Sequence, residues 1–214
     1  MRIGIIQASS QVTKNEVLFE YTKNYAVGHK AINFGCFADE VIDYSYVEIA
    51  VAIGLLLNSG AVDFVVTGCS SGQGMMLVCN TMPNVICGYA PTPMDAYLFV
   101  QINNGNAISL PLGEDYTYSG EENCRNTVKK LFSEPFGQGY PKEEACRKIK
   151  DTELFKDMKT KTHIEFIPFL DKLDTKLRNK ILSKTNVIQY ILENGSNEDV
   201  IDWIKQHTNS SLKR

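Results

Sequence analysis

One stretch of the 214-residue chain gathers residue types that do chemistry together: Asp63-Phe64-Val65-Val66-Thr67-Gly68-Cys69-Ser70-Ser71-Gly72-Gln73-Gly74-Met75-Met76. The run Val62–Thr67 is β-branched and aromatic, the pattern of a central strand buried on both faces. In open α/β sheets ligands bind beyond the carboxyl ends of strands, and this turn is such an end. Gly72 and Gly74 allow a sharp turn that aims the amides of Ser71, Gly72, Gln73 and Gly74 outward. With the dipole of the following helix, those donors form a nest for a negative oxygen. Cys69 stands at its lip, where the same field favours the thiolate. A base beside an oxyanion nest suits proton abstraction next to a carbonyl, with the enolate or enediolate held by the amides. The same residues also suit a purely geometric turn over a buried thiol, since free cysteine often packs as a small apolar group. Neither G-x-G-x-x-G nor G-x-x-x-x-G-K-[ST] occurs, which removes dinucleotide and P-loop readings.

The other cysteines offer less. Cys79 falls in a predicted helix and Cys87 in a predicted strand, while Cys36, Cys124 and Cys146 have no glycine-rich neighbour. No C-x-x-C pair occurs, so a zinc ribbon or thioredoxin-type motif is excluded. His29, His163 and His207 make neither H-x-x-x-H nor H-E-x-x-H, and no metal site is expected. Asp39, Glu40 and Asp43 read as a solvated acidic loop, with Asp43 also able to cap a helix. Tyr140-Pro141-Lys142 reads either as a substrate-facing segment or as an elbow.

Composition bounds the setting. Twenty-two basic against 25 acidic residues give a net charge of −3, which argues against a nucleic-acid partner. No apolar run is long enough for a membrane span. The apolar start, Met1–Ile6, stops at Gln7, too short for a signal peptide. A cytoplasmic protein with free, mostly buried thiols is expected.

The elements that must position the turn follow from periodicity. Strands are predicted at Arg2–Ile6, Ala31–Gly35, Val62–Thr67, Val85–Tyr89 and Ala107–Leu110. Between and after them, helices are predicted at Val12–Tyr25, Tyr46–Leu57, Met75–Asn80, Met94–Asn103 and Glu121–Phe132. This alternation predicts a three-layer α/β/α domain over residues 1–135, with a doubly wound, five-stranded parallel sheet. Residues 136–150, rich in glycine, proline and charge, read as an extended arm unsuited to a core. Residues 151–214 read as a helical C-terminal extension without strands.

Cys69-Ser70-Ser71-Gly72-Gln73-Gly74-Met75, with Asn80 five residues on, resembles the C-G-T-G-x-G-M signature ending in Asn of the type B ribose-5-phosphate isomerase and galactose-6-phosphate isomerase family. Further landmarks fall in order. Ile32-Asn33-Phe34-Gly35 resembles the family's V-x-D-F-G strand, and Asp43-Tyr44 its D-Y. Asn103-Asn104-Gly105-Asn106 resembles its N-D-A-N, and Pro135–Gly139 its F-x-G-G arm. The resemblance covers about residues 1–150 and implies aldose–ketose isomerisation through a cis-enediolate, without metal or cofactor. It implies Cys69 as the base, Ser71 as a hydrogen-bonding partner of the substrate, and the amides of Ser71 to Gly74 as the anion hole. Tyr44 would line the pocket, and Asn103 would bind a substrate oxygen. It also implies a homodimer or larger homo-oligomer, with arm residues serving the neighbouring subunit.

The departures refine the expectation. Ala8-Ser9 replaces the family's Asp-His, and Ile102 replaces its ring-opening histidine. Tyr140 stands near where an arginine would clamp phosphate. Losing these groups argues against a phosphorylated, ring-stable sugar. The expected substrate is therefore open-chain and carries a carboxylate. 4-Deoxy-L-threo-5-hexosulose uronate, which longer family members are expected to isomerise, fits that description. Lys142, Arg147, Ser9 and Tyr140 are the candidates to hold its carboxylate. Ribose 5-phosphate or galactose 6-phosphate, a noncatalytic subunit, and a flavin-phosphate-binding module stand as the alternatives.

Overall fold

Every residue of Phe64–Cys69 is buried, as a strand covered on both faces must be. In the computed structural model, which describes residues 1–114 and 120–209, this strand (β3) lies in the middle of one parallel sheet. Its partners are β1 (Arg2–Ile6), β2 (Lys30–Gly35), β4 (Cys87–Tyr89) and β5 (Ala107–Pro111), in the order β2-β1-β3-β5-β4. Helices α1 (Asn15–Tyr25), α4 (Pro93–Leu98) and α5 (Glu121–Leu131) supply the core on one face. Helices α2 (Tyr46–Asn58) and α3 (Gln73–Asn80) supply it on the other. The fold is the doubly wound α/β/α sandwich expected from the alternation of periods.

Boundaries differ where side chains or amides bond elsewhere. The predicted start of β3 moves from Val62 to Phe64 because Val62 N–H bonds back to Leu56 O at the end of α2. Strand β4 begins at Cys87 because Ile86 N–H is taken by the Asn106 side chain. Ahead of α1, the chain makes a 3-10 turn, Ser9–Lys14, in which Gln11 leaves the helical region (φ −122°, ψ 27°). After α4, a π-helical turn runs from Phe99 to Asn103.

The chain beyond residue 135 departs further from its sequence reading. Phe136 does not leave the core, since its ring packs 5.2 Å from Phe64 and 5.8 Å from Phe132. Aromatic area outweighs the surrounding glycines there. Helices α6 (Ala145–Thr162), α7 (Phe166–Lys172), α8 (Thr175–Leu182), α9 (Thr185–Asn194) and α10 (Glu198–Asn209) follow. Phe166, Leu170, Ile181, Val187, Ile191, Val200, Trp203 and Ile204 join the α2–α3 core directly. The last four helices are thus a continuation of that core layer. Helix α6 behaves differently: over 18 residues only Thr152 is buried, and Leu154 and Met158 are each 63% exposed.

Candidate active site

The turn after β3 is built by glycine and by its ties to β5. Gly72 is the N-cap of α3 at φ 74°, the left-handed region that glycine enters freely. A Cβ there would lie 2.8 Å from both Leu110 C and the Tyr89 ring, so no other residue fits. Cys69 O accepts from Gly72 N–H (3.2 Å) and Leu112 N–H (2.9 Å), Ser70 O accepts from Gly113 N–H (2.9 Å), and Ser109 Oγ donates to Gly72 O (2.6 Å). These bonds pin Cys69 at the carboxyl end of the central strand, 7% exposed.

The nest is narrower than its sequence suggests. Gly72 N–H bonds to Cys69 O, and Gln73 N–H bonds to Ser71 Oγ at 3.3 Å. Among the described residues the amides of Ser71 and Gly74 have no protein acceptor, which leaves those two for an oxyanion. Ser71 and Gln73 are exposed at the mouth. Tyr46, which the sequence reading passed over, lays its ring against Gly74: a Cβ there would sit 3.3 Å from it.

The neighbouring wall comes from β1 and β2. Ser9 and Tyr44 exchange two bonds, Ser9 N–H to Tyr44 O (2.9 Å) and Tyr44 N–H to Ser9 Oγ (2.8 Å). Ala8 N–H reaches Gly68 O on β3 at 3.3 Å, so Ser9 stands beside the Cys69 turn. The Tyr44 hydroxyl meets Ser183 Oγ at 3.1 Å, and burial pushes its pKa up. Burial also pushes up the thiol pKa values of Cys36, of Cys87 and of Cys124, the last to about 12. These three are protonated core thiols at neutral pH, and none of them is a base.

The remaining expected residues are not gathered here within one chain. Asn103 ends the π-helical turn that leads into β5, at the amino end of the sheet. Ala107 pairs with Val65 and Pro111 with Cys69, so strand length alone puts about 13 Å between Asn103's end and Cys69's. Tyr140 is 40% exposed, with its ring edge-on to Tyr97 at 5.7 Å. Lys142 is exposed, and Arg147 is held by Glu144 and by Asp151 (2.9 Å) on its own helix. Among the described residues no group of three or more His, Cys, Asp or Glu is placed to hold a metal.

The family model described as ribose/galactose isomerase matches residues 3–149. No curated protein matches the chain. Among solved structures, a 4-deoxy-L-threo-5-hexosulose-uronate ketol-isomerase, crystallised with a tartrate, is 34% identical with a TM-score of 0.92. That likeness covers 98% of this chain and 100% of the other. A ribose-5-phosphate isomerase from Vibrio parahaemolyticus is 32% identical (TM-score 0.90), covering 96% of this chain and 98% of its own. The type B ribose 5-phosphate isomerase of Trypanosoma cruzi shares the fold at 20% identity and a TM-score of 0.62, over 75% of this chain and 99% of its own. The chain belongs to the ribose/galactose isomerase family, and it is an aldose–ketose isomerase of sugars.

Proposed function

We propose that the substrate is 4-deoxy-L-threo-5-hexosulose uronate and that Cys69 moves a proton between its C1 and C2. The Cys69 thiolate takes the C2 proton, and the electron pair shifts to make a C1–C2 enediolate. The Ser71 and Gly74 amides hold the developing oxyanion, and the Gly72 turn, with Gln73 at its mouth, keeps them aimed. The thiol returns the proton to C1 while the C2 hydroxyl proton passes to the C1 oxygen, leaving a C2 ketone. Atoms and charge balance without a metal or cofactor. The Ser71 hydroxyl bonds a substrate oxygen.

The observation that carries the substrate is Ser9 and Ile102 standing where the family pattern has histidines. With neither present, an open-chain acid is a better fit than a cyclic phosphate ester. The full-length likeness to the uronate ketol-isomerase supports the same choice. The likeness to the Vibrio enzyme favours a second reading, ribose 5-phosphate.

The site is completed by a second copy of the chain. Asn103 and Cys69 lie at opposite ends of one sheet, so a substrate touching both requires two chains. Helix α6, almost wholly solvent-facing with exposed Leu154 and Met158, offers apolar area to such a copy. Free thiols fit a cytoplasmic setting, and among the described residues no helix is long and apolar enough to cross a membrane.

Parallel turnover assays on the unsaturated uronate, ribose 5-phosphate and galactose 6-phosphate test the reading. Efficient turnover of the uronate, undiminished by exhaustive chelation, is expected. Turnover of a phosphate and none of the uronate would transfer the assignment to the second reading. No turnover of any sugar would leave a noncatalytic subunit.

A further inference from the structure

The loop after β2 and the turn between α8 and α9 line an open cavity of about 330 Å³. Phe37, Glu40 and Tyr44 line it from the loop; Ser183, Lys184 and Asn186 line it from the turn. Lys184 is the unusual member, because its side chain is only 2% exposed. Its ammonium donates to Glu40 Oε1 at 2.6 Å, and the same oxygen accepts from Phe37 N–H at 3.1 Å. An ammonium has three donors, and among the described residues Glu40 is its sole acceptor. Two N–H groups of a buried cation are therefore left without a protein partner, an arrangement that favours an incoming oxygen. The Tyr44 and Phe37 rings, 5.2 and 5.8 Å from Nζ, supply only partial compensation.

The cavity's position fits one end of a substrate whose other end is at Cys69. β2 and β3 flank β1, so their carboxyl ends are two strand spacings apart, about 10 Å. An extended six-carbon chain is about 6–7 Å long, and with a contact of about 3 Å at each end it spans about 12–13 Å, enough to pass the end of β2 and enter the loop that follows it. Ser9 follows β1, between the two, bonded to Tyr44 on the cavity side.

Open hydrogen-bond donors decide which end belongs there, and charge limits how anionic it can be. Lys184 is balanced by Glu40, Asp39 sits exposed at the rim, and Lys180 is engaged by Glu48 at 3.2 Å. One further negative charge is met by the two open ammonium donors. A phosphate dianion would bring a second charge against Glu40 and Asp39. We propose that this cavity binds the carboxylate end of the sugar acid and that Lys184, supplied by the C-terminal extension, is the residue that holds it. The proposal rests on the uronate reading and assigns the carboxylate to a residue outside the segment matched by the family model, residues 3–149.

Three proteins separate binding from packing: the unaltered enzyme, Lys184→Met, and the double variant Lys184→Met/Glu40→Met. Removing one partner of a buried pair strands the other charge, whereas replacing both with apolar residues is often neutral for stability. Melting temperature, kcat and KM for the unsaturated uronate are measured on each. The single variant is expected to melt lower, and the double variant to recover the melting temperature. Both are expected to show KM raised about ten- to hundredfold, the loss of a hydrogen bond to a charged group. Recovery of melting temperature and KM together in the double variant would make the pair purely structural and overturn the Lys184 assignment alone. Absence of uronate turnover by the unaltered enzyme would overturn the substrate reading, and the assignment with it.

Discussion

At the scale of single residues, the proposed mechanism turns on which cysteine is placed to act. Five of the six are buried and Cys146 is exposed on α6. Cys36 and Cys124 are core thiols whose ionisation burial opposes, and Cys87 lies within β4 under the same constraint. Cys69 alone combines a strand end with open amide donors. Cys69→Ala is expected to lower kcat roughly 10²–10⁴-fold, the usual range for a general base, while the protein remains folded. Near-normal turnover would remove the assignment. Alkylation needs a control that composition could not supply: Cys146 is expected to react first, so protection by substrate should be read at Cys69 in a Cys146→Ser background. The turn's residues were readable because glycine spacing and a hydroxyl-thiol cluster are local signals. Lys184 and Tyr46 were not, because an isolated lysine in a charge-rich tail and a tyrosine in a helix's first turn carry no pattern.

At the scale of elements, the entry to α2 joins the site wall to the extension. Ser45 caps α2, and Glu48 closes a capping box by accepting from Ser45 N–H at 2.5 Å. Glu48 also pairs with Lys180 of α8 at 3.2 Å. Burial raises the Glu48 pKa, but the bonds from Ser45 and Lys180 outweigh it and hold the carboxyl below its ordinary value of 4.5. A carboxylate depressed in the folded state stabilises fully above its unfolded pKa and loses that contribution as pH falls through the folded one. Glu48→Ala is accordingly expected to lower stability by about 1 kcal/mol at neutral pH. The gap from the unaltered protein should close as the pH drops below 4.5. Denaturant unfolding at neutral and acid pH checks it, and a gap that persists in acid would show that the carboxylate is not the source.

At the scale of the whole molecule, the proposal that a second copy completes the site rests on Asn103 and Cys69 lying at opposite ends of the β3–β5 pair. Two variants, Cys69→Ala and Asn103→Ala, should each be inactive or nearly so as pure oligomers. After unfolding and refolding together they are expected to regain activity, because a mixed dimer contains one site with both residues intact. Failure of mixtures to regain activity, with mixed oligomers demonstrated by mass spectrometry, would place the whole site within one chain.

Periodicity alone determined the alternation of strands and helices, and with it the three-layer architecture, since each element's burial pattern is written in its own residues. It also determined that β3 is central: a strand buried on both faces must be apolar throughout. Strand order was beyond it, because β5 enters between β3 and β4 through contacts distant in sequence. The helices after residue 165 looked like an appendage for a related reason. Their apolar stripes say that something is covered, but only the packed core says that it is α2 and α3. The cavity at Lys184 exists because residues 37–44 and 183–186 meet across about 140 positions. A buried ion pair between such segments is a property of the assembled molecule; either half, read alone, is a charged residue like any other.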